Sequence, residues 1–125
     1  MTTNWENTKE YFITYSIMIN AARHFGFCTY QEIAQAIGIS TAGNYMGKIV
    51  GELIGLVSKN EMEHGRPMLS SIVVGISGKP GDGYFNWAKE LGLLKEGKDE
   101  WAFWESECKK IYEEWKIQYK VSKGK

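Results

Sequence analysis

The side chains able to do acid–base, nucleophilic or metal chemistry are few in this chain and poorly spaced for it. His24 and His64 lie far apart, and neither has a cysteine or second histidine at ligand spacing. Cys28 and Cys108 are equally isolated, which fits neither a disulfide framework nor a zinc site and predicts two reduced thiols in or near the core. Ser70 and Ser71 lack the Gly-x-Ser-x-Gly elbow of a hydrolase. In a strand their side chains face opposite ways, so at most one of them can join a site. Gly78-Lys79 looks at first like a phosphate loop, but Pro80 stands where Ser or Thr is required and no glycine lies at the needed distance upstream. The acid pairs Glu61/Glu63 and Glu113/Glu114 read as solvated surface. These residues predict no catalytic group, no metal and no cofactor, hence a protein that binds without catalysing. A ligand site or enzyme built on the loop from Arg66 to Tyr84 is the alternative of a different kind.

The pattern that stands out is Gly43, Gly47, Gly51 and Gly55, one glycine every four residues inside a predicted helix. Each interior glycine costs about 0.8–1 kcal/mol relative to alanine, so something must offset the set. Residues four apart lie nearly above one another, and the glycines form a bare strip that another backbone can approach closely. Either the strip packs against a helix of the same domain, or it faces outward and lets this helix enter a groove.

The elements around this helix follow from periodicity. Trp5 to Phe25 reads as a first helix, with Trp5, Phe12, Tyr15, Ile19, Ala22 and Phe25 on one face and Gly26 as its stop. Thr29-Tyr30-Gln31-Glu32 is a capping box for a second helix that buries Ile33, Ala34 and Ile37 and ends at Gly38. Ser40 or Thr41 caps the third, glycine-bearing helix, which runs to about Asn60, and the two helices make a helix-turn-helix. Leu69 to Ile76 is rich in β-branched residues and predicts a strand; Tyr84-Phe85, after a turn-rich loop, predicts its return as a hairpin wing. A short helix over about Asn86–Leu91 follows. A last helix from Asp99 to Tyr119 carries Trp101, Trp104, Cys108, Ile111, Trp115 and Tyr119 as a core-facing stripe. The fold class is thus α+β and mostly helical, a winged helix-turn-helix with added terminal helices. Length points to one domain over residues 1–125, with a core at 28–97 and flanking helices at 1–27 and 98–125.

Composition narrows the partners. Five Trp and seven Tyr exclude a disordered chain. No stretch approaches the ~20 apolar residues that cross a bilayer, and the first residues lack a signal-peptide layout, so no membrane association and a cytoplasmic location are expected. Fifteen basic and 15 acidic side chains balance to zero net charge, without the basic face most DNA binders carry. Only Lys116, Lys120, Lys123 and Lys125 give a local basic excess, read as a frayed, solubilising end.

The order Thr29-Tyr30-Gln31-Glu32-Ile33-Ala34, Gly38, Ile49-Val50-Gly51, Pro67 and Ile72-Val73-Val74 resembles the DNA-binding domain of the alkylguanine-DNA alkyltransferases, and Leu93-Leu94-Lys95-Glu96-Gly97 resembles that family's closing stretch. The resemblance spans about Cys28 to Gly97. It implies that Tyr30 helps rotate a nucleotide out of the duplex, that Lys48 stands where the family has its intercalating arginine, and that small residues let the recognition helix enter the minor groove. The chemistry does not carry over. Pro67-Met68-Leu69-Ser70-Ser71 replaces the family's Pro-Cys-His-Arg, leaving no thiolate and no histidine to activate one; the non-catalytic alkyltransferase-like proteins lack the cysteine too but usually keep the His-Arg that is missing here.

The leading expectation is therefore a non-catalytic DNA-binding protein whose contact face comprises Tyr30, Gln31, Thr41, Asn44, Tyr45, Lys48 and Lys79 beside the strip Gly43, Gly47, Gly51 and Gly55. The competing expectation is a protein-interaction module on the same scaffold, an adaptor or inhibitor encoded by a phage or mobile element, favoured by the neutral charge and the aromatic last helix. Homo-oligomerisation through the glycine strip is its variant.

Overall fold

The computed structural model describes residues 4–43 and 45–120 and is mostly helical, with one small β-ladder. Helix α1 spans Lys9–Arg23, β1 Cys28–Thr29, α2 Tyr30–Ile37 and α3 Tyr45–Glu63. A one-turn 3-10 helix over Leu69–Ile72 leads into β2, Val73–Val74, and then come α4, Tyr84–Glu90, and α5, Glu100–Trp115.

Local chemistry sets the helix ends. The Thr8 side chain accepts from the Tyr11 amide and starts α1. The capping box of α2 forms as its sequence dictates: the Glu32 amide donates to Thr29 Oγ1 at 3.0 Å, and the Thr29 amide donates to Glu32 Oε1 at 2.9 Å. Gly38, at φ 80°, ends α2 in the left-handed region that glycine enters without strain. Asp99 accepts from the amides of Trp101 and Ala102 and starts α5.

One core joins α1, α2, α3, the 3-10 turn and α5. Met18 and Ala22, Ile33 and Ala34, Val50 and Leu53, Leu69 and Ile72, and Ile111 are all fully enclosed in it. Each large aliphatic side chain buried there contributes about 1.5–3 kcal/mol. A second cluster of Met68, Tyr84, Ala88 and Leu94 fixes α4. Cys28 and Cys108 are buried and unbridged. No helix among the described residues is long and apolar enough to cross a membrane.

The ladder differs in kind from the expected hairpin. β1 and β2 are parallel, pairing Cys28 with Val73 and Thr29 with Val74. The expected strand is short because its first half turns helical: the Ser71 amide and hydroxyl both bond to the Met68 carbonyl, at 3.0 and 2.8 Å. Such local serine bonding competes with a ladder. Tyr84 and Phe85 form no return strand but open α4, with Tyr84 and Ala88 buried one turn apart. Residues 75–83 are therefore a loop, closed by Gly75 and Gly78, and not a β-hairpin wing.

Two helical faces also shift. The buried positions of α1 are Tyr11, Thr14, Met18 and Ala22, leaving Phe12 and Phe25 exposed; Phe25 lies just past the helix at φ 59°, with 61% of its surface free. On α5, Cys108 and Ile111 are buried, Trp104 and Trp115 are half-buried, Trp101 is largely exposed, and Tyr119 lies beyond the helix in the open.

Candidate functional site

The parallel ladder decides where the site lies. Tyr30 and Gln31 follow directly on β1, and Gly75 follows directly on β2, so pairing the strands brings both segments to the same spot. There they border a cavity of about 670 Å³, a size typical of small-molecule sites. Gly47, Gly51 and Gly55 of α3 form one wall, with Met46 and Ile54 beside them. Ser70 and Val73 come from the 3-10 turn and β2, the loop contributes Lys79 to Gly83, and Tyr84 and Trp87 of α4 complete the lining.

The glycine wall is bare. Among the described residues a Cβ added at Gly47, Gly51 or Gly55 meets nothing within 4 Å, so no neighbouring helix of the described residues occupies the strip. Gly43 does not belong to it: at φ 75° this residue sits in the bend before α3, which begins at Tyr45. In that bend the Ala42 amide donates to Ser40 Oγ at 3.2 Å, and Thr41 is exposed. Asn44 lies outside the described residues.

The expected contact residues thus divide. Tyr30, Gln31, Lys79 and the three helical glycines share the cavity lining, whereas Thr41, Tyr45 and Lys48 do not. Tyr45 (60% exposed) and Lys48 project from the first turns of α3, beyond the cavity wall. Lys79 lies over the Trp101 ring, 5.8 Å from its centroid, which ties the loop to α5. Tyr30 reaches under the loop. Burial raises its phenol above the usual range, while the adjacent Gly81 backbone pulls the other way. A side chain at Gly81 would run into the Tyr30 hydroxyl, so glycine is needed there for close approach.

Ser70 is the residue that sequence reasoning undervalued. Of the segment from Pro67 to Ser71, it is Ser70 that lines the cavity, while Met68 is enclosed in the second cluster. The neighbouring Ser71 is held from every side. Its Oγ pairs with the Tyr84 hydroxyl at 2.5 Å, and its carbonyl accepts from Trp104 Nε1 at 2.7 Å. The Met68 amide donates to the buried Glu107 carboxylate at 3.3 Å. Ser70 itself is 6% exposed, and its amide donates to Ser58 Oγ at 3.2 Å. Among the described residues its own hydroxyl has no partner, and neither has the buried Oε1 of Gln31. Both unpartnered atoms belong to residues lining the cavity. Ser70 and Ser71 lie in the 3-10 turn and not in the expected strand, so strand alternation does not decide which of them faces the site.

Behind the site, α3 ends in a buried ion cluster. Arg66 grips Glu61 through both carboxylate oxygens at 2.9 and 2.7 Å, Tyr15 donates to the same carboxylate, and the guanidinium lies over Trp115 at 5.4 Å. These contacts fix the approach of the chain to Met68 and Ser70 and leave Arg66 engaged within the fold.

No family model, no curated protein and no solved structure matches the chain.

Proposed function

We propose that the protein is a non-catalytic DNA-binding module that lays the open face of α3 in a groove and admits one rotated-out nucleotide to the cavity behind that face. The observation that carries this reading is the uncovered strip at Gly47, Gly51 and Gly55, which makes a smooth helix surface and a cavity wall at once. Helix backbones bare of side chains approach a nucleic-acid surface closely, and extruded bases require a pocket next to the contact helix. On this reading Tyr45 and Lys48 flank the duplex, Lys79 reaches a phosphate, and Tyr30 guides the nucleotide. α2 and α3 then serve as the helix-turn-helix of an alkyltransferase-like scaffold, with the loop 75–83 in the place of a wing.

Fluorescence anisotropy on a short duplex at low salt tests it. Two lysines, Lys79 of the cavity lining and Lys48 on α3 beyond it, set a slope of log affinity against log salt near −2, on the order of −0.9 for each phosphate neutralised. Raising salt fourfold should then weaken binding about tenfold, and Lys48→Glu should reduce both affinity and slope. Absence of binding, or binding indifferent to Lys48→Glu, refutes the reading.

A second reading has its own observation. Phe25, Phe27 and Tyr112 form an edge-to-face group on the surface, and Phe27 stacks on Trp104 at 5.7 Å. Phe25 holds a left-handed backbone with its ring largely free, a strained arrangement the core does not require. A protein partner on this aromatic face fits the adaptor alternative. Pull-down after nuclease treatment separates the two, because a partner lost with Phe25→Ser and indifferent to nuclease belongs to the aromatic face.

A further inference from the structure

We infer that a single strand of nucleic acid runs outward from the cavity rim over a ladder of aromatic rings, its bases stacking on Phe25, Phe27 and Trp101. This rests on the DNA reading for the class of partner. The surface is a separate one, and nothing on it requires a base inside the cavity.

The inference starts from the order of the rings. Phe85, Trp101, Trp104, Phe27, Tyr112 and Phe25 meet one after another, with successive centroids 5.3, 5.8, 5.7, 6.4 and 5.8 Å apart. Phe25, Phe27 and Trp101 keep 61%, 49% and 46% of their surface free. One end of the ladder is the cavity rim. Tyr84 lines the cavity and packs edge-on against Phe85, and Lys79 lines it and lies over Trp101. Two of the inner rings are pinned: the Tyr112 hydroxyl donates to the Gly26 carbonyl at 2.8 Å, and Trp104 Nε1 donates to the Ser71 carbonyl at 2.7 Å. A surface fixed in this way loses little freedom when it is covered.

The chemistry of the rings selects the occupant. The polar tips of Tyr112 and Trp104 are spent on backbone carbonyls and phenylalanine has none, so five of the six rings offer an incoming chain no free donor. A peptide laid along them brings an amide and a carbonyl at every residue and finds few partners for either. A single strand brings a flat base face at every unit and keeps its charge on the phosphates. Area points the same way. Half of an aromatic side chain of ~150–250 Å² is about 100 Å², so the three open rings free about 300 Å², against the ~800 Å² that each side of a standard protein interface covers. A second copy of the chain would not hold on this face alone. Cations accompany the ladder along its length. Lys79 stands at the cavity end, Lys109 one turn before Tyr112 on α5, and Arg23 two residues before Phe25; all three are exposed and make no ion pair among the described residues. Glu105 on the same flank of α5 and Asp82 at the cavity oppose them, while Glu113 is paired with Lys116. Spaced cations beside a row of rings are how single-strand sites track a backbone while stacking its bases.

The test uses three probes on the full chain, by anisotropy at low salt: a blunt duplex, the same duplex with a single-stranded tail of about ten nucleotides, and the tail alone. The tailed duplex should bind about tenfold more tightly than the blunt one, the equivalent of one or two stacked bases. Its salt slope should be steeper by about 1.4, since Arg23 and Lys109 each neutralise one phosphate at about −0.7. Phe25→Asn and Phe27→Leu each remove most of the gain and leave the affinity for the blunt duplex unchanged. Asparagine accepts the left-handed backbone of Phe25, φ 59°, with less strain, so the thermal stability of Phe25→Asn stays level or rises; a ring kept for packing would show the opposite. A tailed duplex bound no better than the blunt one overturns this inference and leaves the DNA reading in place. So does a gain that survives both variants, because the strand then runs elsewhere. Binding of the tail alone, lost with Phe25→Asn, while the blunt duplex does not bind, supports the ladder and removes the duplex reading. Binding of no probe overturns both, and a nuclease-resistant partner lost with Phe25→Asn then assigns the rings to a protein.

Discussion

Replacing Gly47, Gly51 and Gly55 by alanine separates stability from function in opposite directions. Each lies within α3, and a methyl group at any of them meets open space. With no clash to oppose it, the helix-propensity gain of about 0.8–1 kcal/mol per site is realised almost whole. The triple variant therefore gains roughly 2.5–3 kcal/mol, a sizeable fraction of the 5–15 kcal/mol typical of a domain. For a chain of this size that corresponds to roughly 3–5 °C in Tm per substitution, and the urea midpoint rises in step. The same three methyl groups stand on the cavity wall and lift the helix off any groove, so affinity for duplex DNA should fall about tenfold or more. Gly43→Ala is the internal control: at φ 75° an alanine is strained by about 1–2 kcal/mol, and that variant loses stability. Denaturation curves and anisotropy on the same preparations give both readings. A triple variant less stable than the parent shows that the strip is filled by packing. One that is more stable and binds DNA undiminished shows that the strip faces no nucleic acid.

Three further perturbations probe the supports of the site. Gly81→Ala drives a methyl group into the Tyr30 hydroxyl, and should cost about 1–3 kcal/mol in denaturation while changing the near-ultraviolet dichroism of that tyrosine; an unchanged spectrum and stability would mean the loop does not close on Tyr30. Arg66→Met strands the Glu61 carboxylate, which is 1% exposed, and should cost about 3 kcal/mol, the low end for a buried pair because the guanidinium keeps partial solvent access. Replacing Glu61 as well, by Leu in the Arg66→Met background, should recover much of the loss, and failure to recover would place the cost in the Arg66–Trp115 contact instead. Burial, chiefly, pushes the thiols of Cys28 and Cys108 up from 9.0 to about 12. A raised folded-state pKa means the contribution is complete below pH 9 and is lost as pH climbs from 9 towards 12, because the unfolded chain ionises first. At pH 10 the loss is on the order of 1 kcal/mol per cysteine, and a Cys28→Ala, Cys108→Ala variant should show a correspondingly flatter stability profile between pH 8 and 10.

What was legible in the sequence was local. The capping box at Thr29 and Glu32 and the left-handed stop at Gly38 depend on contacts within a few residues, and they form as written. The course of residues 69–85 was not legible, because Leu69, Ser70, Ser71 and Ile72 are buried on every side and show neither helical nor strand alternation. The i to i+4 pair Tyr84 and Ala88 did carry the α4 signal, but the preceding glycines and Tyr84-Phe85 made an equally good hairpin pattern. Helix α1 offered apolar residues on two adjoining faces, and only packing against α2, α3 and α5 selects the Tyr11, Met18 and Ala22 face. The parallel ladder joins residues 45 positions apart in sequence, and no local pattern announces a pairing of two residues with two. Yet that ladder assembles the site, by setting Gln31 and Ser70 around one cavity.

The zero net charge, which counts against a DNA binder on ordinary electrostatic grounds, acquires a different meaning if the cavity supplies the affinity. Phosphate contacts hold any sequence alike, and with only Lys48 and Lys79 as the contacting cations of the proposed reading their share is small. Occupancy of the cavity then dominates, and it must outweigh the few kcal/mol needed to unstack and unpair a base. An intact duplex charges that cost in full, whereas a mismatch, a bulge or a single strand has already met part of it. A weakly charged module with a snug base site is therefore selective for distorted DNA by energetics alone, without reading sequence. A strongly basic one would bind intact duplex everywhere and bury that discrimination. On the proposed reading, adding lysines around Lys48 should raise affinity for every duplex while shrinking the ratio between unpaired and fully paired DNA; a ratio that grows instead would mean the cavity is not where the binding energy lies.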